Sequence, residues 1–221
     1  MLDDNPTTYT AVEYHVGDAY ATTWGWNRMG FYVPGTKYTP TAWFDGMYER
    51  VGTPVQPYYA DYFADRLATP TDVTIDMVAE EVGTRTYEVT ATVCIEAGGV
   101  GKTVRLYMVQ VQNFYPTVPD YSRNTFRQAA ATEDVTLAPG ECQDVVRTFT
   151  FNTDDWALQE NIKIVAWAQR PGVSNGNPWE IYNAAVMHWP FPEPAGVCGD
   201  MDGDGDVDLG DFATFAVCYY G

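Results

Sequence analysis

Aspartates near the C-terminus are spaced like the oxygen ligands of a calcium loop. Residues 200–211 read DMDGDGDVDLGD. Loops of the EF-hand type take oxygen ligands at positions one, three, five, seven, nine and twelve, and glycine at position six allows the sharp turn. Gly205 occupies position six. The six ligand positions hold Asp200, Asp202, Asp204, Asp206 (through its carbonyl), Asp208 and Asp211. This spacing predicts calcium as the cofactor.

A solvated acidic turn is the alternative interpretation, because Asp and Gly are also common in turns. Six carboxylates in a twelve-residue segment repel one another, however, and a hard dication neutralises that repulsion. An ordinary turn does not explain the regular spacing. We therefore favour a calcium site.

A short apolar segment follows the loop and needs a surface to pack against. Phe212, Phe215 and Tyr219 have helical spacing, so they form the predicted interaction face. Cys198 and Cys218 flank the loop and this segment, and a disulfide between them is predicted. Such a bridge would stabilise the module by about 3 kcal/mol in the chain-entropy model. The module is too small to form a core of its own.

The run from Gly199 to Phe212 resembles one repeat of a bacterial type I dockerin. Dockerins carry two loop-helix repeats and attach secreted proteins to cohesin domains, whereas this chain has one repeat. Loop positions ten and eleven, often polar recognition residues in dockerins, are Leu209 and Gly210 here. The resemblance implies calcium binding and a protein partner that docks on residues 198–221; the two departures weaken the inference of cohesin binding.

Composition indicates a folded, acidic protein. The chain has 221 residues, of which 46% are hydrophobic and 15% aromatic, enough for packed cores. Its formal net charge of −18 argues against nucleic acid and anionic membranes as partners. No apolar run has the length of a transmembrane segment.

Cysteine usage favours an oxidising compartment. The four cysteines are an even number, and the predicted pairs are Cys94–Cys142 and Cys198–Cys218, although three pairings are formally possible. The first residues, MLDDNP, do not resemble a signal peptide. We expect an extracellular or cell-surface protein whose export signal was removed or, more in keeping with the pattern, whose chain here starts inside a longer protein.

Residues 1–69 resemble the second half of a thioredoxin-like α/β unit. The pattern predicts a strand at Tyr9–Val16, a helix or crossover at Ala19–Gly30, a strand at Tyr38–Gly46, its hairpin return at Glu49–Gly52 and a helix at Tyr58–Leu67. The resemblance implies a cis proline at Pro40. No C-x-x-C motif is present, so thiol exchange is not expected unless the chain is a truncated oxidoreductase. The missing strand could leave a sheet edge exposed.

Residues 70–190 are predicted to form an antiparallel, immunoglobulin-like β-sandwich, because short strands alternate there with turn signals. The predicted strands are Val73–Met77, Tyr87–Glu96, Thr103–Asn113, Val145–Asn152, Ile162–Gln169 and Ile181–His188. The polar stretch Phe114–Ala131 is predicted to be a loop, and residues 191–197 a proline-rich linker. The predicted fold class is therefore α+β, mostly β.

The order of these units is similar to that of bacterial outer-membrane surface lipoproteins of about 28 kilodaltons. The matching segments are Tyr14–Asp18, Thr39–Gly46, Ile162–Gln169 and Asn183–Val186. Membership would imply an exported or surface-attached protein.

No catalytic motif stands out. His15 and His188 fall in predicted strands and are interpreted as structural, and adjacent acids such as Glu80/Glu81 and Asp154/Asp155 as solvated. No nucleophile elbow, phosphate loop or zinc-protease motif occurs. The leading hypothesis is a non-enzymatic surface protein whose calcium module mediates docking or assembly. A self-assembling extracellular protein is the alternative, followed by a truncated thioredoxin-like oxidoreductase and, last, a carbohydrate-active enzyme.

Overall fold

A computed structural model of the protein describes residues 9–33, 35–52, 56–117, 122–172 and 179–193. The predicted calcium loop, the aromatic segment after it and the predicted Cys198–Cys218 bridge lie outside these ranges. No helix in the described ranges combines the length and the hydropathy needed to cross a bilayer.

Within the described residues, the chain forms an N-terminal unit followed by a sandwich. The N-terminal unit contains α1 (Thr23–Tyr32), β1 (Thr41–Phe44), β2 (Tyr48–Val51) and α2 (Gln56–Leu67). The sandwich contains β3 (Val73–Gly83), β4 (Thr86–Ile95), β5 (Lys102–Gln112), β6 (Thr125–Ala129), β7 (Glu133–Leu137), β8 (Cys142–Thr150), the short helix α3 (Thr153–Trp156), a 3₁₀ turn (Gln159–Asn161), β9 (Ile162–Gln169) and β10 (Ile181–His188). The predicted class, α+β and mostly β, is confirmed.

The sandwich consists of a three-stranded sheet, β3-β4-β8, and a five-stranded sheet, β10-β9-β5 with β6 and β7 sharing the outer edge of β5. All strand pairs in both sheets are antiparallel. In β4, alternate residues from Tyr87 to Ile95 are buried, as expected for a strand with one face on the core. In β5, by contrast, every residue from Leu106 to Gln112 is buried. The five-stranded sheet is therefore covered on both faces.

Two cores explain this double burial. Between the sheets lies a large apolar core that includes Val89, Leu106 and Phe149. On the other face of the five-stranded sheet, Tyr107 and Trp167 form a second core with Val12, Tyr14 and Trp24 of the N-terminal unit. The N-terminal unit thus packs directly on the sandwich. Phe191, at the start of the predicted linker, also belongs to the large core.

Four features of local structure differ from the sequence-based predictions. The predicted loop Phe114–Ala131 contains strand β6, which pairs with the last four residues of β5 through a bulged register. The predicted strand Tyr9–Val16 contributes only an isolated bridge between Glu13 and Thr125. Strand β7 was missed, and β3 runs six residues beyond its predicted end at Met77. Strands β6 and β7 depend on the edges of β5, which are distant from them in the sequence, whereas the extra residues of β3 continue its hairpin pairing with β4 as far as Gly83.

The β1–β2 hairpin confirms the implied cis proline, since the Thr39–Pro40 peptide is cis. Asp45 and Gly46 both have positive φ, 46° and 69°, the combination that Asp-Gly hairpin turns need. The turn is docked on the sandwich: the Trp179 N–H donates to the Gly46 carbonyl (3.2 Å) and the Ile181 N–H to the Asp45 carbonyl (2.8 Å). The Asp-Gly pair therefore shapes the turn and attaches it to β10.

Replacing Gly46 with alanine is expected to weaken this attachment, because the new Cβ would overlap the Trp179 carbonyl. Gly52→Ala is the matched control, since Gly52 also has positive φ (79°) but no atom within 4 Å of a new Cβ. We expect Gly46→Ala to lower the free energy of unfolding by about 2 kcal/mol more than the control, in the range of overpacking costs. Urea unfolding and hydrogen exchange of the Ile181 amide would measure this. Equal losses in the two variants would contradict it.

The predicted disulfide between Cys94 and Cys142 is confirmed. The two residues face each other in the β4–β8 register, and the sulfur atoms are bonded at 2.01 Å. Cys94 is half-buried and Cys142 is exposed. The bridge therefore crosses a strand pair near the surface of the three-stranded sheet.

Candidate ligand-binding cleft

A cleft of about 1520 Å³ lies where the N-terminal unit meets the sandwich. Its lining comes from the extended segment 9–16, from the second half of α1, from β1, from the end of α2 and from the outer edge strand β10. Val165 and Trp167 of β9 contribute the sheet face. The cleft exceeds the ~300–1,000 Å³ typical of small-molecule pockets. It is therefore large enough for a bound molecule of substantial size.

Arg28 of α1 is the most unusual charged residue in the lining. Its side chain is buried, with a relative exposure of 5%. The guanidinium carbon lies 4.4 Å from the ring centroid of Tyr107, 4.7 Å from those of Phe31 and Tyr32, and 5.5 Å from that of Trp167. The negative faces of aromatic rings attract such a cation. The four rings therefore form an aromatic cage around Arg28.

Neutral hydrogen-bond partners complete the cage. Arg28 Nη2 donates to the Tyr32 hydroxyl (2.6 Å) and to Gln169 Oε1. Gln169 Nε2 in turn donates to the Trp179 carbonyl (2.7 Å) and to the Tyr32 hydroxyl (3.0 Å). These bonds connect α1 with β9 and with Trp179, which precedes β10. They also hold the guanidinium in one place.

No carboxylate in the described part of the chain forms an ion pair with Arg28. The nearby phenols do not supply a negative charge either. Burial raises the pKa of the Tyr14 phenol and that of the Tyr32 phenol, although the Arg28 charge opposes both shifts. Both phenols are therefore neutral at neutral pH. Within the described ranges, the contacts of the Arg28 guanidinium are with aromatic rings and neutral dipoles.

The other cation-forming groups that line the cleft have different surroundings. Arg66 of α2 is paired with Asp45 (3.0 Å) and Glu180 (3.1 Å). At His188, burial and the neighbouring Lys163 lower the imidazole pKa and so favour its neutral form. Arg28 thus differs from Arg66 in having a charge that no acidic side chain offsets.

His15 lies at one end of the cleft in an arrangement that resembles part of a catalytic triad. Its Nδ1 lies 2.7 Å from Asp18 Oδ2, and its Nε2 lies 3.5 Å from the Thr125 hydroxyl. The bond to His15 holds the pKa of the Asp18 carboxyl below its usual value. In catalytic triads a carboxylate orients an imidazole, and the imidazole acts as the base that activates a hydroxyl nucleophile. Asp18, His15 and Thr125 follow one another in the same way.

The hydroxyl in this group is poorly suited to attack a substrate. Thr125 is 1% exposed, and its hydroxyl donates to the Tyr115 carbonyl. Its proton is therefore committed to the backbone, and the distance to the imidazole is long for a hydrogen bond. We interpret His15 as a link between the N-terminal segment and β6.

Three side chains of the lining carry buried polar atoms without a hydrogen-bond partner among the described residues. These atoms are Thr10 Oγ1, Trp43 Nε1 and Trp167 Nε1. The two indole groups can act only as donors. An unsatisfied buried donor costs about 1–3 kcal/mol. The lining is therefore rich in donors that lack acceptors.

Sequence reasoning missed Arg28. Its only local signal is a single cation in the apolar, Trp-containing segment of α1. The predicted ligands of calcium, the aromatic interaction face and Cys198 and Cys218 lie outside the described residues. Within the described ranges, no group of three or more His, Cys, Asp or Glu side chains is arranged to hold a metal ion.

Comparison with known proteins shows that the fold of this chain is similar to that of a solved structure. The sequence matches no protein-family model and no curated protein. Among solved structures, HBP35 of Porphyromonas gingivalis is 17% identical with a TM-score of 0.61, over 84% of this chain and 65% of that chain. This chain thus spans less than two thirds of that protein. A domain of the outer membrane lipoprotein Omp28 from the same organism is 17% identical with a TM-score of 0.41, over 57% of this chain and 93% of that chain.

Proposed function

We propose that this is a non-enzymatic protein of the cell surface or extracellular space, and that its C-terminal module binds calcium and docks on a protein partner. The observation that supports export is the disulfide between Cys94 and Cys142. Such bridges persist in oxidising compartments and are rare in the reducing cytosol. Extracellular calcium is abundant enough for weak-binding loops, whose dissociation constants run from about 10⁻⁴ to 10⁻³ M.

The absence of enzymatic function is part of the proposal. The Thr125 hydroxyl, which lies 3.5 Å from His15 Nε2, is buried and donates to a backbone carbonyl. Thiol exchange is disfavoured because Cys94 and Cys142 are joined to each other and the chain contains no C-x-x-C motif. These two observations make hydrolysis at His15 and dithiol chemistry the less favoured functions.

The aspartate spacing at residues 200–211 supports the calcium site, because its donor set consists only of the hard oxygen ligands that calcium prefers. Replacing Asp200 and Asp204 together with asparagine is expected to abolish calcium binding in isothermal titration calorimetry. The matched control is Asp61→Asn with Asp65→Asn, which removes the same charge from exposed positions of α2. Calcium binding of equal strength in the two double variants would overturn the assignment.

Docking and self-assembly can be distinguished by size in solution. Self-assembly has support from β1–β2, a two-stranded sheet whose outer edges pair with no other described strand. Exposed apolar side chains also occur in this unit, namely Tyr20, Trp26, Tyr38, Val51, Tyr58 and Leu67. Light scattering with calcium and after chelation tests both functions. A monomer in both conditions supports docking on another protein, whereas assemblies that dissolve on chelation support self-assembly through the calcium module.

A further inference from the structure

We propose that the cleft between the N-terminal unit and the sandwich binds an organic carboxylate with an apolar body, and that Arg28 supplies the cation for its carboxylate. This proposal does not rest on the calcium module.

The first argument for a carboxylate ligand is the distribution of charged side chains in the cleft. Removing a guanidinium from water is costly unless an anion or several acceptors compensate for it. Among the charged side chains that line the cleft, Asp45 is paired with Arg66 and Asp18 with His15. Arg28 alone among the lining arginines is without an acidic partner in the described residues. A carboxylate in the cleft would provide the missing negative charge.

The second argument is the set of buried polar atoms in the lining that have no hydrogen-bond partner among the described residues. Trp43 Nε1, Trp167 Nε1 and Thr10 Oγ1 are buried and have no described partner, and all three side chains line the same cleft as Arg28. Trp167 is 5% exposed and also belongs to the cage around Arg28. The two indole N–H groups therefore lack acceptors among the described residues. A carboxylate offers two oxygens with about four acceptor sites and no donor when ionised.

The remaining lining determines the body of the ligand. Tyr9, Phe44 and Phe63 form one aromatic group, with Tyr9 6.3 Å from Phe44 and edge-on to Phe63 at 5.6 Å between centroids. On the sheet side, Val165 and Val186 continue the apolar surface. Pockets that combine an apolar lining with a few placed polar groups suit molecules of the same character. An aliphatic or aromatic monocarboxylate therefore fits better than a sugar or a phosphate ester.

Calorimetric titration of the full chain with decanoate, 3-phenylpropionate and the neutral analogue 1-decanol, below any aggregation of the probes, tests the proposal. We expect saturable binding of at least one carboxylate, and binding of decanol at least about tenfold weaker, as the loss of a charge-assisted hydrogen bond implies. Binding that does not distinguish decanoate from decanol, or no saturable binding of either carboxylate, overturns it.

Substitutions at Arg28 and Trp43 test the role of each residue in carboxylate binding. Arg28→Met is expected to weaken carboxylate binding at least about tenfold, with Arg147→Met on β8 as the control, because Arg147 is paired with Glu133 and does not line the cleft. Arg28→Lys should restore part of the affinity, since it restores the charge without the planar fork. Trp43→Phe keeps an aromatic ring at this position, removes the indole donor and should weaken binding about threefold to tenfold.

Circular dichroism and urea unfolding establish that each variant is folded. If Arg28→Met fails to fold, Trp43→Phe and the comparison of decanoate with decanol decide the question. Full carboxylate affinity in a folded Arg28→Met protein contradicts the proposal. The proposal is also contradicted if the Trp43→Phe protein keeps full carboxylate affinity and decanol binds as strongly as decanoate.

Discussion

Replacing both Cys94 and Cys142 with serine is expected to lower the free energy of unfolding by about 4 kcal/mol, the chain-entropy value for a loop of this length. The two residues are 48 positions apart in the sequence. Cys94 is half-buried and Cys142 is exposed, so the substitution removes little packing. Most of the loss should therefore come from the greater freedom of the unfolded chain. Urea unfolding at neutral pH measures it.

Reductant provides the control for this prediction. Dithiothreitol should shift the unfolding curve of the wild-type sandwich toward that of the double variant, in which the predicted Cys198–Cys218 bridge of the terminal module is the one bridge left to reduce. A loss below about 1 kcal/mol, far under the usual range for native disulfides, would show that the strand pairing holds the two chain segments together without the bridge.

The second large effect is expected at Asp155, whose replacement by asparagine should cost about 3–5 kcal/mol, as breaking a buried ion pair does. Asp155 is fully buried, and its carboxylate accepts hydrogen bonds from Arg127 Nε, Gln110 Nε2 and Asn152 Nδ2, each at 2.8 Å. The amide group is nearly the same size, but it turns a donor toward these donors and leaves Arg127 without its anion.

Asp134→Asn is the matched control for Asp155→Asn. Asp134 receives two hydrogen bonds from Arg105, at 2.6 and 2.7 Å, but its side chain is 44% exposed. Water and salt screen such a pair, so the expected loss is about 0–1 kcal/mol. Urea unfolding of the two variants gives the comparison. Similar losses would contradict the view that burial makes the Asp155 network important.

Asp155 also shows where reasoning from sequence failed. The sequence pattern predicts that both Asp154 and Asp155 are solvated, and Asp154 is exposed. Asp155, however, is buried, and its carboxylate accepts hydrogen bonds from Gln110 of β5 and Arg127 of β6. The partners lie 45 and 28 positions away in the sequence. Nothing in the local pattern distinguishes the buried acid from its exposed neighbour.

The parts of the fold that could be predicted have local signals. Alternating apolar residues placed β4, and the apolar run at residues 164–168 placed β9 (Ile162–Gln169). The Asp45-Gly46 dipeptide indicated the hairpin turn, and the preceding Thr39–Pro40 bond is cis as the thioredoxin-like resemblance implied. The calcium prediction is local as well, because all its ligands lie in one continuous loop.

Tertiary structure alone decided the remaining features. Strand β6 exists because the end of β5 offers it a hydrogen-bonding edge, a property that its own polar sequence does not carry. The cage around Arg28 joins α1 to Tyr107 and Trp167, residues of two strands that are far away in the sequence. Burial and the pairing of charges depend on such distant neighbours. The sequence by itself therefore determined the fold class and predicted the calcium loop, whereas the cleft and its uncompensated cation appeared only when the chain was folded.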